Sequence, residues 1–354
     1  MNSRERVLAS LRGEEPDRIP YCELGIDRAL AQTLMGWGGP KSQARNLEAN
    51  QYTVEEAKAI ASLLKLDNLS YLMRAPVYAH KSAGQDGRLF YGEGMIQTEA
   101  DLAILELPDP NDDSLYAEAE EFVAQKGERA AWFVTRIGIF PTMLSMGIEG
   151  FCVAVYENRS LVEAVLDCYC DWMIVVAERV CQIGFDVFVS TDDLAFKTGP
   201  FLSPALFRDL VMPRHRRVAE KITIPWVLHS DGDVMPYLED LLSLGIAGLH
   251  PNEKGAMDIR AMKREYGDRV CLLGNVDLNI LGLGTPEEVE QEVYGLIRDV
   301  GPGGGYIVTS GNTLAGYLRP ENVLALARAA QKHGPSPFTH KNSSARIEEG
   351  KKHG

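Results

Sequence analysis

The chain has 354 residues, with 50 acidic against 36 basic side chains and a net charge of −14. That balance argues against a nucleic-acid backbone or an anionic membrane surface as the natural partner, and a neutral or locally recruited small molecule fits better. The length suits one large α/β domain, since barrels of that class commonly pass roughly 200–250 residues undivided. Six cysteines (Cys22, Cys152, Cys168, Cys170, Cys181, Cys271) form no paired framework and no C-x-x-C motif. Reduced thiols in a cytoplasmic protein are expected from that usage.

In chain order, MNSRERVLASLRGEEPDRIP opens with charge and a helical period, without the apolar stretch of a secretory signal. Eight short apolar runs follow, each ending in polar residues: 18–24, 68–73, 131–138, 186–193, 224–232, 245–251, 269–277 and 304–312. Helical stretches separate the last five, most opening with a Ser, Thr or Asp suited to an N-cap. Strand then helix, repeated to a count of eight, predicts a single-domain (β/α)8 barrel over residues 1–334. A hairpin near 83–100, around GRLFYGEGMIQTE, interrupts the long second connection. Residues 335–354 are polar and mixed in charge, and read as a flexible tail in which His340 and His353 are inert. GPGGGY (301–306) precedes a strand instead of linking strand to helix, so it reads as a turn and not as a phosphate cradle.

The run WVLHSDGD (226–233) passes from apolar residues to groups that are costly to bury. In a parallel barrel the C-terminal strand ends form the active-site face, and polar residues collect at those ends here. Glu23 ends the first strand, Arg136 the third, Asp192 and Asp193 the fourth, and His229 and Asp231 the fifth. His250 ends the sixth, Asn275 and Asp277 the seventh, and Ser310 and Asn312 the eighth.

His229 and Asp231 are two apart on a strand, so they point the same way and could share a metal ion; a structural bond with Asp231 capping the next helix is the alternative. Asp192 and Asp193 face opposite ways, so one suits the pocket and the other the following loop. Glu23 needs a partner if buried, and Arg136 could pair with it or bind substrate. Asn275 and Asp277 could hold an oxygen-bearing ligand or serve as turn residues, and His250 could be a ligand or a satisfied core histidine.

RERVLASLRGEEPDRIP, STDDLAFKTGPFLSP, WVLHSDGD, LHPNEKGAMDI, LLGNVD and GPGGGYIVTSGNT together resemble the uroporphyrinogen decarboxylase superfamily, from residue 3 to about residue 333. The resemblance implies a (β/α)8 barrel and one of two activities: porphyrinogen decarboxylation without a cofactor, or methyl transfer involving a corrinoid on a separate protein. The decarboxylases carry an Arg-Gln-Ala-Gly-Arg stretch near the first strand. Here the region reads YCELGIDRAL, with Glu23 where a polyanion would be repelled, which favours the methyltransferase branch.

Members of that branch acting on coenzyme M have a His-x-Cys zinc pair at the fifth strand and a second cysteine after the eighth. This chain matches at His229 and departs at Asp231 and Asn312. Nitrogen and oxygen donors leave zinc a stronger Lewis acid than thiolates do, which suits cleavage of a methyl ether. The resemblance thus implies an O-demethylase methyltransferase, passing methyl from a methoxylated aromatic to the Co(I) corrinoid of a partner protein. In that reading His229 and Asp231 hold zinc or protonate the leaving oxygen, and Glu23 and Asp192 complete the catalytic site. Arg136, Asn275, Asp277, His250 and Asn312 position the substrate. Methyl transfer to a thiol, decarboxylation, and a non-catalytic barrel that binds a corrinoid protein are the alternatives.

Overall fold

Valine and aromatic residues alternate between two faces along the strands, and both faces are buried, as a parallel sheet wrapped in helices requires. The computed structural model describes residues 1–37, 48–83 and 89–335. Its main sheet runs through seven parallel strands: Asn68–Arg74, Ala130–Thr135, Val187–Thr191, Trp226–His229, Gly248–His250, Cys271–Leu273 and Tyr306–Ile307. Inward-facing Ala130, Trp132, Val134, Val187, Val189, Val227, Leu273 and Ile307 fill the barrel, and Val7 and Leu11 of the first helix pack against them. The alternate residues, among them Phe133, Phe188, Trp226, Leu228 and Leu272, pack outward beneath the helices.

The expected first strand, 18–24, does not form a regular ladder. Tyr21 makes a single parallel bridge to Val308. The Cys22 N–H donates to Val308 O at 3.0 Å, and the Asp67 N–H to Tyr21 O at 2.8 Å, so the segment lies between the last and first strands of the sheet and completes the barrel. Side chains replace the missing rungs. Pro20 has no N–H to give, the Tyr21 N–H goes to the Asp67 carboxylate at 3.0 Å, and the Glu23 N–H goes to Asn68 Oδ1 at 3.1 Å. Asn68 Nδ2 and Ser70 Oγ return hydrogen bonds to Glu23 O, each at 2.8 Å.

The outer helices begin where capping side chains satisfy free N–H groups. Ser203, Asp258 and Thr285 accept from Leu206, Arg260 and Glu288, the last within a capping box. In the long second connection Ala79–Ala83 pairs antiparallel with Leu89–Gly94, so this hairpin starts earlier in the chain than the sequence pattern suggests. Gly94 packs directly on backbone, and a Cβ there would sit 2.1 Å from Gly147 N, so only glycine fits. This contact seats the hairpin on helix Ile139–Met146. The expected tail lies, beyond Pro335, outside the described residues, as do His340 and His353. Among the described residues no single helix is long and apolar enough to cross a membrane. Helices Ile139–Met146 and Ile148–Glu157 pass such a test only as a pair bent by 98°.

Candidate functional site

The inward register that fills the barrel continues past the strand ends into a cavity of about 350 Å³ with both polar and apolar lining. Thr191 pairs with His229, and His229 with His250. Leu72 pairs with Val134, and Arg74 and Arg136 each follow two residues further along the chain. Glu23, Arg74, Arg136, Asp193, His229 and Asn312 all line the cavity, with Leu69, Leu72, Val134 and Phe140 as apolar wall.

His229 is buried, with 8% of its surface exposed. Its Nδ1 lies 2.7 Å from His250 Nδ1, and His250 Nε2 lies 3.2 Å from the carbonyl of Ser310. A carbonyl only accepts, so His250 Nε2 carries the hydrogen. Burial, followed by the proximity of His229, holds the His250 pKa well below the usual imidazole value, so that ring is neutral and its Nδ1 accepts. His229 must then donate through Nδ1, which leaves a lone pair on Nε2. That lone pair faces two carboxylates, Asp193 Oδ1 at 3.7 Å and Asp231 Oδ1 at 3.9 Å.

The donor atoms of Asp193, His229 and Asp231 lie within 4.8 Å of one another. Asn312 Nδ2 donates to Asp231 Oδ2 at 2.7 Å, while buried Asp231 Oδ1 has no hydrogen-bond partner. Burial first, then the charges of Asp193 and Glu253, pushes the Asp231 carboxyl up to about 7. A buried lone pair and a partnerless carboxylate oxygen converging in a carboxylate-rich corner fit a divalent cation, and the all nitrogen-and-oxygen set is within zinc's range. His229, Asp193 and Asp231 are the residues that would hold it.

Glu23 is buried, and its oxygens lie 3.1 Å from Ser310 N and 2.5 Å from Ser310 Oγ. The Ser310 hydroxyl also contacts the carbonyl of Asn312. One hydroxyl hydrogen does not fully serve both acceptors; given to the carbonyl, it leaves Glu23 Oε2 to carry its own proton. Burial acts in the same direction, raising the Glu23 carboxyl to about 8 against the opposing bonds from Ser310.

Several expected site residues do not line the cavity, Asp231 among them. Asp192 does not face the cavity: its carboxylate accepts N–H groups of Ile137, Gly138 and Phe140 at 2.7, 3.3 and 3.2 Å, pinning the loop into helix Ile139–Met146. Parity explains the exchange, because Val187, Val189 and Thr191 point inward and Asp193 follows them. Asn275 is buried with Nδ2 donating to Asn252 O at 2.6 Å, and it does not line the cavity. Asp277 caps helix Leu278–Leu283 by accepting the Asn279 N–H at 2.8 Å. His250 orients His229 from outside the cavity. Arg136 lines the cavity with its guanidinium 5.2 Å from the Phe140 ring centroid and 6.0 Å from that of Tyr91, on the hairpin. The sequence reading passed over Arg74, although a charged residue closing the apolar run NLSYLMR is the same kind of signal as Glu23.

A closed parallel barrel with buried ionisable groups gathered at its C-terminal mouth defines an α/β-barrel protein whose site sits where that architecture places its chemistry. The chain belongs to the uroporphyrinogen decarboxylase family, whose profile matches residues 85–333. A methylcobamide:CoM methyltransferase of Methanosarcina barkeri is 22% identical over 327 residues, covering 91% of this chain and 81% of the relative. A uroporphyrinogen decarboxylase of Alkalilimnicola ehrlichii is 24% identical over 278 residues, 73% of each chain. Among solved structures, a methyltransferase from Methanosarcina mazei superposes with a TM-score of 0.73 at 22% identity, covering 94% of this chain and 99% of its own. That likeness shows the shared fold.

Proposed function

We propose that the protein is a methyltransferase that moves a methyl group from a methoxylated aromatic compound to the Co(I) corrinoid of a partner protein. One observation carries the reading: a single cavity joins His229 and Asp193, two members of a nitrogen-and-oxygen donor set, to a buried carboxylic acid that keeps its proton at neutral pH. No cysteine is among the described residues lining it. The relative named for methyl transfer between a cobamide and coenzyme M supports corrinoid-dependent methyl transfer in general.

An aryl methyl ether resists cleavage because its leaving oxygen departs as an anion, so the site must supply a proton or positive charge at that atom. Glu23 holds such a proton. Once it has passed to the leaving oxygen, the Ser310 N–H and hydroxyl stabilise the carboxylate left behind. Burial keeps the His229 ring neutral, which suits a ligand and leaves the acid role to Glu23. A divalent cation at His229, Asp193 and Asp231 would supply Lewis acidity to the same oxygen. Leu69, Leu72, Val134 and Phe140 offer an apolar slot for the ring and exclude water from it.

The test mixes purified protein, a reduced corrinoid protein and a panel of aryl methyl ethers, methanol and methyl thioethers. Loss of the Co(I) absorption and release of free phenol are followed together. The expected result is phenol release only when the corrinoid protein is present. Methylation of the corrinoid from methanol or thioethers, and from no aryl ether, overturns the reading.

A further inference from the structure

The barrel wall is open on one side of the cavity. Up to Glu23 the first segment is tied to strand Asn68–Arg74 by the Asp67 N–H on Tyr21 O and by the side chains of Asn68 and Ser70 on Glu23 O. Beyond Glu23 it turns to the other neighbour: the Asp27 N–H donates to Leu314 O at 2.8 Å and the Leu314 N–H to Gly25 O at 3.0 Å. The Ile26 carbonyl takes the Tyr52 hydroxyl at 2.7 Å, and no backbone hydrogen bond joins residues 24–27 to strand Asn68–Arg74. A parallel neighbour would continue the ladder there.

The lining of the cavity comes from both sides of that wall. Leu24, Leu72 and Val134 belong to the barrel interior, whereas Leu69 and Leu66 belong to the layer beneath the helices, together with Ala57, Ile60 and Ala61 of helix Val54–Leu64. All five of that second group are buried. Ala57, Ile60 and Ala61 share one helix face, being three and four residues apart, and two alanines leave that face recessed. The polar side chains at the opening, Asn68 and Ser70, already bond Glu23, so an occupant beyond them meets hydrocarbon on the helix side. At about 350 Å³ the cavity falls in the range of sites that enclose drug-sized ligands, which is more room than one methoxyarene ring fills.

We infer that the recess against Ala57, Ile60 and Ala61 is a substrate subsite, so that the methyl ether taken by this site carries an alkyl substituent that passes the open wall and lies beneath helix Val54–Leu64. The inference rests on the methyl-ether reading for the reacting group, and on the cavity lining alone for the subsite.

Binding separates the two. Calorimetric titration of the purified protein, without corrinoid protein, compares anisole, 4-ethylanisole and 4-butylanisole. Affinity is expected to rise roughly fourfold for each methylene added, the gain for moving a CH₂ from water into an apolar site. Ala57→Leu and Ala61→Leu fill the recess and should each bring 4-butylanisole close to anisole, while anisole itself changes by less than about twofold, with circular dichroism confirming each fold. Valine at either position is a smaller insertion that should remove part of the gain, and it serves where leucine unfolds the chain. Equal binding of the three ethers to the unaltered protein overturns the subsite, whatever the variants do. A gain with chain length that survives substitution at both alanines overturns it as well, since the chain then lies elsewhere. Demethylation of all three ethers in the presence of a reduced corrinoid protein, with no gain in affinity, removes the subsite and leaves the methyl-ether reading standing. A gain lost on substitution, with no demethylation of any ether, supports the subsite and removes the methyl-ether reading.

Discussion

Replacing Glu23 with glutamine keeps the shape of the side chain and removes its titration. The amide fits the local bonding: Gln Nε2 donates to Ser310 Oγ, whose hydrogen goes to the Asn312 carbonyl, and Gln Oε1 accepts the Ser310 N–H. In the unfolded chain Glu23 loses its proton near its ordinary value of 4.5, whereas burial in the folded protein delays the loss to about 8. Between those values the folded state binds a proton that the unfolded state has released, so stability falls as pH rises through that window and the loss is complete above about pH 8. A window of about 3.5 pH units at about 1.36 kcal/mol each gives roughly 4 to 5 kcal/mol. The assay is urea unfolding of the unaltered protein and Glu23→Gln at matched pH values from 5 to 9, taking the difference so that other titrations cancel. The two should be closest near pH 5, and the glutamine variant should become progressively more stable up to about pH 8 and hold that advantage to pH 9. Parallel curves across the range would refute the buried acid and, with it, Glu23 as proton donor.

Two further outcomes follow from the exchange of Asp192 for Asp193. Elemental analysis after dialysis against zinc should find about one ion per chain in the unaltered protein, a loss on Asp193→Asn or His229→Ala, and retention on Asp192→Asn; retention in all three variants would remove the cation site. Asp192→Ala should destabilise the fold by roughly 3 kcal/mol or more, because buried N–H groups lose a charged acceptor, and a thermal midpoint unchanged from the unaltered protein would contradict that.

The sequence by itself determined the barrel, because strand-like runs closed by polar residues recur eight times and both faces of each run are apolar. It also marked the strand ends where ionisable groups gather, since a charge after an apolar run has to face the mouth or find a partner. Glu23, His229, Asp231 and Arg136 were recognisable on that ground. Choosing between Asp192 and Asp193 was a different matter. In DVFVSTDD the inward and outward residues are equally apolar, so composition carries no parity, and only the packing of Val187 and Val189 inside the barrel shows which aspartate points in. Asn275 and Asp277 illustrate the same ambiguity: a loop asparagine or aspartate satisfies a backbone group as readily as a ligand, and the decision rests on which N–H or C=O lies within reach. Arg74, Thr191, His229 and His250 come from four strands, and Arg136 from just past the end of a fifth, all separated by tens of residues in the chain. Register between parallel strands depends on how the intervening helices pack, and so the histidine pair and the Ser310–Glu23 contact became neighbours only in the folded barrel.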